Sequence, residues 1–385
     1  MKPQPQHFYE FFAGGGMARL GLGAEWQCLF ANEWSARKAE SYRANFSPAC
    51  ELRVDDIWNL SAKDLPGRAD LAWASFPCQD LSLAGNGAGL DGSRSGTLIQ
   101  FWKLMRELSA EGRRVPIIAL ENVTGALTSN QGRDFRAMAE LAKDAGYRFG
   151  AIVMDAARFV PQSRPRLFFV AVSENARIPE SCVSDEPPVD WHNARLCTAV
   201  QNLPPELKSH WIWWNLPSAP GNTRRLSDII ELRNTELKWH SQEETQRLLG
   251  MMSETNAAKV RQATQYGKCI IGTVYKRVRV EDGIRNQRAE VRFDQISGCL
   301  RTPAGGSSRQ TILVVEGDSV RSRLLSTREA ARLMGIPESY VLPDRYNDAY
   351  HLAGDGVVAP VVRHLASELL TPLLAGIREM AKLAA

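Results

Sequence analysis

One pattern recurs through residues 8–172: a short apolar run, a polar or glycine-bearing break, and between several of the runs an apolar stripe at helical spacing. The runs are 8–12, 28–31, 71–74, 115–120, 151–154 and 167–172. Helical spacing shows at 17–22, at Leu98, Phe101, Trp102 and Met105, and at Phe135, Met138, Ala139 and Leu141. Strands alternating with helices predict an α/β fold, a doubly wound and mostly parallel sheet with helices on both faces. Sheets of this kind place their chemistry at the carboxyl ends of the strands.

After about Ser173 the alternation stops. Residues 179–220 are rich in proline, asparagine and tryptophan (Trp191, Trp211, Trp213, Trp214) and have no clear period. Strand-like runs return at 270–280 and 290–293, a turn-rich segment follows at 302–308, and the end is helical at 327–334 and 359–383. A chain of 385 residues exceeds one small core, which predicts two domains. With 44% hydrophobic and 23% charged residues the composition is that of an ordinary globular protein, and no apolar run approaches the ~20 residues that span a bilayer. The polar start, residues 1–7, lacks the apolar core of a secretory signal, which predicts a cytoplasmic protein with no membrane partner. Seven scattered cysteines without a CxxC pair indicate neither a disulfide framework nor a zinc site, and no metal is expected.

Charge is more informative locally than globally. The net charge is only +4, but residues 259–301 hold Arg261, Lys268, Lys276, Arg277, Arg279, Arg285, Arg288 and Arg292 against four acids. Such a surface neutralises phosphates, although a solvated charged hairpin would read the same.

Four strand ends and one strand start carry candidate chemistry. After the first run, Phe12, Ala13, Gly14, Gly15 and Gly16 form a glycine turn that lets backbone approach a ligand, with a helix amino end beyond it. The spacing is not GxGxxG, which favours a nucleoside ligand over a dinucleotide. Glu33 ends the second run at the distance where an acid meets ribose hydroxyls, with Trp34 beside it to cover a base and Asp56 and Ile57 further on to contact that base. After the third run come Pro77, Cys78 and Gln79, then a glycine-rich stretch, 82–92, able to close over a ligand. A free cysteine is more often a small buried hydrophobe than a nucleophile. Here, however, Glu121, Asn122 and Val123 end the fourth run, and Gln162, Arg164 and Arg166 precede the last. A thiol, an acid and guanidinium groups at one sheet edge suit conjugate addition to a ring.

These residues carry a resemblance. The glycine turn, Pro77-Cys78-Gln79, Glu121-Asn122-Val123, Gln162 with Arg164 and Arg166, the block 323–337 and the block 354–362 resemble, in order, the six blocks of the DNA cytosine-5 methyltransferases. The resemblance implies S-adenosylmethionine as methyl donor, S-adenosylhomocysteine as product, no metal, and double-stranded DNA as partner. It implies Cys78 attacking carbon 6 of a flipped cytosine, Glu121 acting on ring nitrogen 3, Arg166 on the carbonyl oxygen, and Arg164 orienting Glu121 or binding phosphate. Pro77, Asp355 and Val357 join the implied cofactor contacts, with Asp355 standing where many members carry asparagine. Gln79, Ser82, Arg94, Ser307, Ser308 and Arg309 are the implied DNA contacts.

In the family the last helix returns beside the first strand. The implied division is 1–178 plus 345–385 for catalysis and cofactor, and 179–344 for target recognition. The expected state is a monomer, acting on the nucleoid in a bacterial cell, with a cognate restriction endonuclease acting separately. Three alternatives remain at this point: a transfer-RNA cytosine methyltransferase of the same chemistry, a catalytically dead DNA-binding relative, and a nicotinamide dehydrogenase on the same type of sheet.

Overall fold

The computed structural model describes residues 5–77, 96–281, 283–301 and 309–383. They fall into two compact units, one made of residues 1–155, 165–219 and 359–385 and the other of 156–164 and 220–358.

In the first unit, β1 (Gln6–Phe11) leads through the glycine turn into α1 (Met17–Leu22), followed by β2 (Trp26–Glu33), α2 (Ala36–Asn45) and β3 (Leu52–Val54). Then come β4 (Leu71–Ala74), α3 (Thr97–Ala110), β5 (Ile117–Val123), α4 (Arg133–Asp144), β6 (Tyr147–Asp155) and β7 (Pro165–Ser173). The seven strands lie in the order β3-β2-β1-β4-β5-β7-β6. Pairing is parallel from β3 to β5, while β7 runs antiparallel to both β5 and β6. All of β4 and the first six residues of β5 are buried, as both-face coverage requires. The order reverses between β1 and β4, and that reversal opens a crevice at their carboxyl ends.

The tryptophan-rich stretch expected to open the second domain packs on this sheet instead. It contains β8 (Val183–Ser184), α5 (Ala194–Gln201), α6 (Pro205–Lys208) and β9 (Trp213–Trp214). Trp191 and Trp214 are buried, and the Trp214 indole donates to the Val170 carbonyl at 3.2 Å. Its lack of period follows from this: single large anchors, rather than a repeating face, hold it to β6 and β7.

The second unit holds α7 (Gln242–Gly250), α8 (Glu254–Gln265) and a four-stranded antiparallel sheet in the order β11-β10-β12-β13. Its strands are β10 (Ile270–Glu281), β11 (Ile284–Arg292), β12 (Thr311–Glu316) and β13 (Ser319–Leu324). The last two form a hairpin where the sequence had suggested no strands. Leu248, Met252, Val260 and Ala263 of the helical segment pack on Val274, Ala289 and Val291 of the sheet. Next come α9 (Thr327–Leu333), capped by Ser326 and Glu329 in a reciprocal box, and α10 (Tyr346–Asp355).

The chain then rejoins the first unit through α11 (Ala359–Leu365), a π-helical turn at Ala366–Leu370, and α12 (Thr371–Leu383). α11 crosses α1 so closely that a Cβ on Gly21 would lie 2.4 Å from Cβ of Val362. The guanidinium of Arg378 donates to Asp70 at 2.9 Å, and Thr371 meets Gln6 at 3.4 Å. Within the helical stretch 346–379 an 18-residue window is apolar enough to cross a membrane, at mean hydropathy 1.3, but 67% of that window is buried inside the protein.

Candidate active site

The crevice begins at the turn after β1. Phe12 and Gly14 both have φ of 57°, left-handed values that let the turn double back, and space is open where a Cβ on Gly14 would stand. Glu33, buried at the end of β2, holds the turn in place. One carboxylate oxygen accepts the Gly14 N–H at 2.8 Å and the other accepts the Ser35 N–H, also at 2.8 Å. Between those anchors Trp34 stands 74% exposed, an indole with little of its surface packed. An open cradle, an acid fixed by two amides with lone pairs remaining, and an uncovered aromatic face fit a nucleoside such as that of S-adenosylmethionine. Asp56 is exposed and caps the next turn by accepting the Trp58 N–H at 3.1 Å. Ile57 is 2% exposed and belongs to the hydrophobic core, so little of it remains to meet a ligand.

Beneath the turn lies Glu10, 1% exposed. One of its oxygens accepts the Arg19 N–H at 3.3 Å; the other has no partner among the described residues. Burial pushes this carboxyl up to about 8.

β4 ends beside the same crevice. Phe76 is buried, Pro77 is exposed, and Cys78, Gln79, Ser82 and Arg94 lie outside the described residues. The neighbouring strand secures this end: Asn122 Nδ2 donates to the Phe76 carbonyl at 3.0 Å while its Oδ1 accepts the Val123 N–H at 2.8 Å. Asn122 thus ties the backbone that leads into Pro77 through Nδ2 while Oδ1 holds its own strand end.

Glu121, one residue earlier, is 6% exposed. Its partner is Arg166, whose Nε stands 3.1 Å from a carboxylate oxygen. The register explains why. Val123 lies opposite Arg166, and Glu121 shares Val123's face two residues back, so acid and guanidinium are diagonal neighbours on one side of the sheet.

Arg164 is placed differently from the expectation that it would orient Glu121 or bind phosphate. It is 2% exposed, and its guanidinium donates to the carbonyls of Leu300, Gly354 and Gly356 at 2.8–2.9 Å. A planar cation bonded to three backbone carbonyls acts as a clamp within the second unit, and its burial removes it from solvent-borne phosphate. Gln162 does similar work there: fully buried, it donates to the Leu333 carbonyl at 2.8 Å and accepts the Leu300 N–H at 3.1 Å.

Asp355 ends α10 exposed, and Val357 is 3% exposed, both in the second unit. Arg309 bonds Asn347 and stacks over Tyr346 at 5.5 Å. Ser307 and Ser308 lie outside the described residues. Among the described residues no group of three or more His, Cys, Asp or Glu is placed to hold a metal ion. Sequence reasoning missed the role of Asn122 as a brace; its signal was an amide beside the acid at a strand end.

The doubly wound sheet, with its antiparallel last pair and its turn after β1, defines the fold of S-adenosylmethionine-dependent methyltransferases. Solved structures share it: the Dnmt2 methyltransferase of S. pombe matches with a TM-score of 0.57 at 18% identity, covering 96% of this chain and 99% of that one. The family model for C-5 cytosine-specific DNA methylase matches residues 6–371, and the chain belongs to that family; it is a DNA cytosine-5 methyltransferase. Among its relatives are the type II methyltransferases M.Bsp6I of Bacillus sp. (strain RFL6) and M.HhaI of Haemophilus parahaemolyticus. The first is 24% identical over 371 residues, 94% of this chain and 98% of that protein. The second is 25% identical over 363 residues, 93% of this chain and 92% of that protein.

Proposed function

We propose that this enzyme methylates carbon 5 of a cytosine in a specific double-stranded DNA sequence through a covalent adduct of Cys78 with carbon 6. The observation that carries the reading is the β5 strand end. It holds a buried glutamate, paired with one arginine, beside the asparagine that fixes the backbone leading to Pro77-Cys78.

The Cys78 thiolate adds to carbon 6 while Glu121 gives a proton to ring nitrogen 3, so the charge pushed onto that nitrogen is neutralised and carbon 5 becomes the nucleophilic end of an enamine. S-adenosylmethionine supplies an electrophilic methyl group to that carbon. Loss of the carbon 5 proton to a base and of the Cys78 sulfur as thiolate, with return of the nitrogen 3 proton to Glu121, then restores the ring. Arg166 holds Glu121 through Nε and the Pro165 carbonyl through Nη1, and its remaining nitrogen meets the cytosine carbonyl oxygen. Gly14, Gly16, Glu33 and Trp34 hold the cofactor, with Phe12, Asp56 and Pro77 around it. Carbon 6 is shielded within a duplex, so the cytosine is flipped out at a cost of a few kcal/mol.

In this reading the second unit finds the target, with Arg309, Ser307 and Ser308 joining Gln79, Ser82 and Arg94 as DNA contacts. The protein works as a monomer in the cytoplasm, and a cognate endonuclease cuts unmethylated copies of the same sequence.

The test is transfer of a labelled methyl group from S-adenosylmethionine to duplex DNA or to transfer RNA. Wild-type protein is expected to label the duplex, and Cys78→Ala to label neither while still binding cofactor. Wild-type protein with DNA carrying 5-fluorocytosine should leave a denaturant-stable adduct, because fluorine blocks the final elimination. Full turnover by Cys78→Ala would sink the assignment of the nucleophile.

A further inference from the structure

The hairpin of β10 and β11 outruns its own support. Its two faces follow from the register: Val274 opposes Val291, Lys276 opposes Ala289, Val278 opposes Gln287 and Val280 opposes Arg285 on one side. At the base this side is core, with Val274 and Ala289 fully buried and Val291 nearly so under the helical segment. Two pairs further out the same side is bare: Val278 is 53% exposed, Val280 is 69% exposed, and Gln287 and Arg285 are exposed across from them. Ile284, at the tip, is 64% exposed. β-Branched residues exposed in series on one side of a projecting ribbon make it a candidate contact surface.

The charge around that side points to one kind of partner. The opposite face carries Arg277 and Arg279 against Asn286 and Arg288. Beside it, an open cavity of about 630 Å³ is lined by Lys259, Arg279, Arg288 and Arg292, of which Arg279 is paired with Glu290 and Arg292 with Asp294, so that the net positive charge comes from Lys259 and Arg288. A cationic ribbon with a mixed valine and glutamine surface matches a duplex: phosphates for the cations, base edges for the rest. Dimensions agree, since a two-stranded ribbon fits a major groove about 12 Å wide. The ribbon extends five residues per strand beyond Lys276, roughly 17 Å at ~3.4 Å per residue.

We infer that this ribbon enters the major groove and reads an A·T pair with the opposed residues Val278 and Gln287. A glutamine amide matches the N6 and N7 edge of adenine, and an apolar side chain matches the 5-methyl group of thymine. The two side chains start about 5 Å apart on one face, as the two halves of one base-pair edge require. Arg285 lies two residues nearer the tip, about 7 Å along the ribbon and so two base steps on, where a guanidinium selects guanine. Lys259 and Arg288, at the cavity, contact phosphate. The inference rests on the proposed function and adds the composition of the target.

The experiment defines the target of the wild-type enzyme by bisulfite sequencing of a randomised duplex library, then replaces each target thymine by uracil, which deletes only the methyl group. At one position, uracil is expected to lower kcat/KM about fivefold, the worth of one buried methyl contact. Gln287→Ala should relax discrimination at that same pair by at least about tenfold. Lys259→Ala should weaken binding equally on all sequences and lower its salt dependence. A target without an A·T pair, or uniform indifference to uracil, would overturn the inference while methylation itself upheld the enzyme's assignment. So would a double variant, Val278→Ser with Val280→Ser, that altered only self-association in sedimentation. Absence of methylation on every duplex would instead remove the proposed function, and this inference with it.

Discussion

Two buried arginine–glutamate pairs, one in each unit, are built to opposite ends. Arg323 and Glu329 in the second unit are 1% and 0% exposed and meet in a fork, at 2.6 and 2.7 Å. The same carboxylate also accepts the N–H of Glu231 and of Ser326, while the guanidinium donates to two backbone carbonyls. Arg166 and Glu121 in the first unit meet through a single nitrogen at 3.1 Å and remain 14% and 8% exposed. Among the described residues, nearly all hydrogen-bonding capacity is used in the first case, whereas in the second Arg166 spends Nε on Glu121 and Nη1 on the Pro165 carbonyl and both side chains stay partly open to solvent. A pair whose bonds are all made inside the protein can stabilise it; only a pair with bonds left to make can act on a substrate. Glu10 extends the contrast, since it is buried with one oxygen unpartnered and keeps its proton until about pH 8.

The largest effect should come from the closed pair. Glu329→Ala strands Arg323 in the core together with two backbone N–H groups, and should cost about 3–5 kcal/mol of stability by denaturant titration. If the variant lost activity at unchanged stability, the pair would not be structural. Glu121→Gln is the converse: methyl transfer should fall about a hundredfold or more, with little change in the unfolding midpoint. A large loss of stability there would erase the contrast.

Glu10 gives a pH signature. Its folded value lies above its unfolded one of about 4.5, so the folded state retains a proton that the unfolded state releases. Stability attributable to this group is therefore fully present below about pH 4.5, falls as pH rises, and levels off above about 8. Comparison of wild-type with Glu10→Gln across that range should show the slope only in the wild type. Smallest is Trp34→Ala, which should raise the KM for S-adenosylmethionine about tenfold, the worth of one lost stacking contact, with kcat nearly unchanged. A fall in kcat alone would separate Trp34 from cofactor binding.

Much of the first unit was legible because buried parallel strands must be continuously apolar, and six runs marked six of its seven sheet strands. β3, three residues long and half exposed, carries too little apolar surface to show. The candidate site was legible as a set of strand ends, but not as a set of contacts. Nothing in the spacing distinguishes Arg164 from Arg166; the antiparallel register of β5 and β7 does, by setting one beside Glu121 while the other precedes the paired residues. In the second unit the sequence held signals that periodicity alone passed over. Ser241 and Glu244 form a capping box that announces α7, and the run 311–316 followed by Gly317 and Asp318 announces a hairpin. The tryptophan-rich stretch had no such signal, because its place depends on a sheet already formed.

The close crossing of α1 and α11 orders events during synthesis. The helix that fits against Gly21 is encoded after the whole of the second unit, so the first strand and its turn emerge from the ribosome long before their cover does. At about 5–20 residues per second the interval is some tens of seconds, during which the apolar side of α1 is open to chaperones or to neighbouring chains.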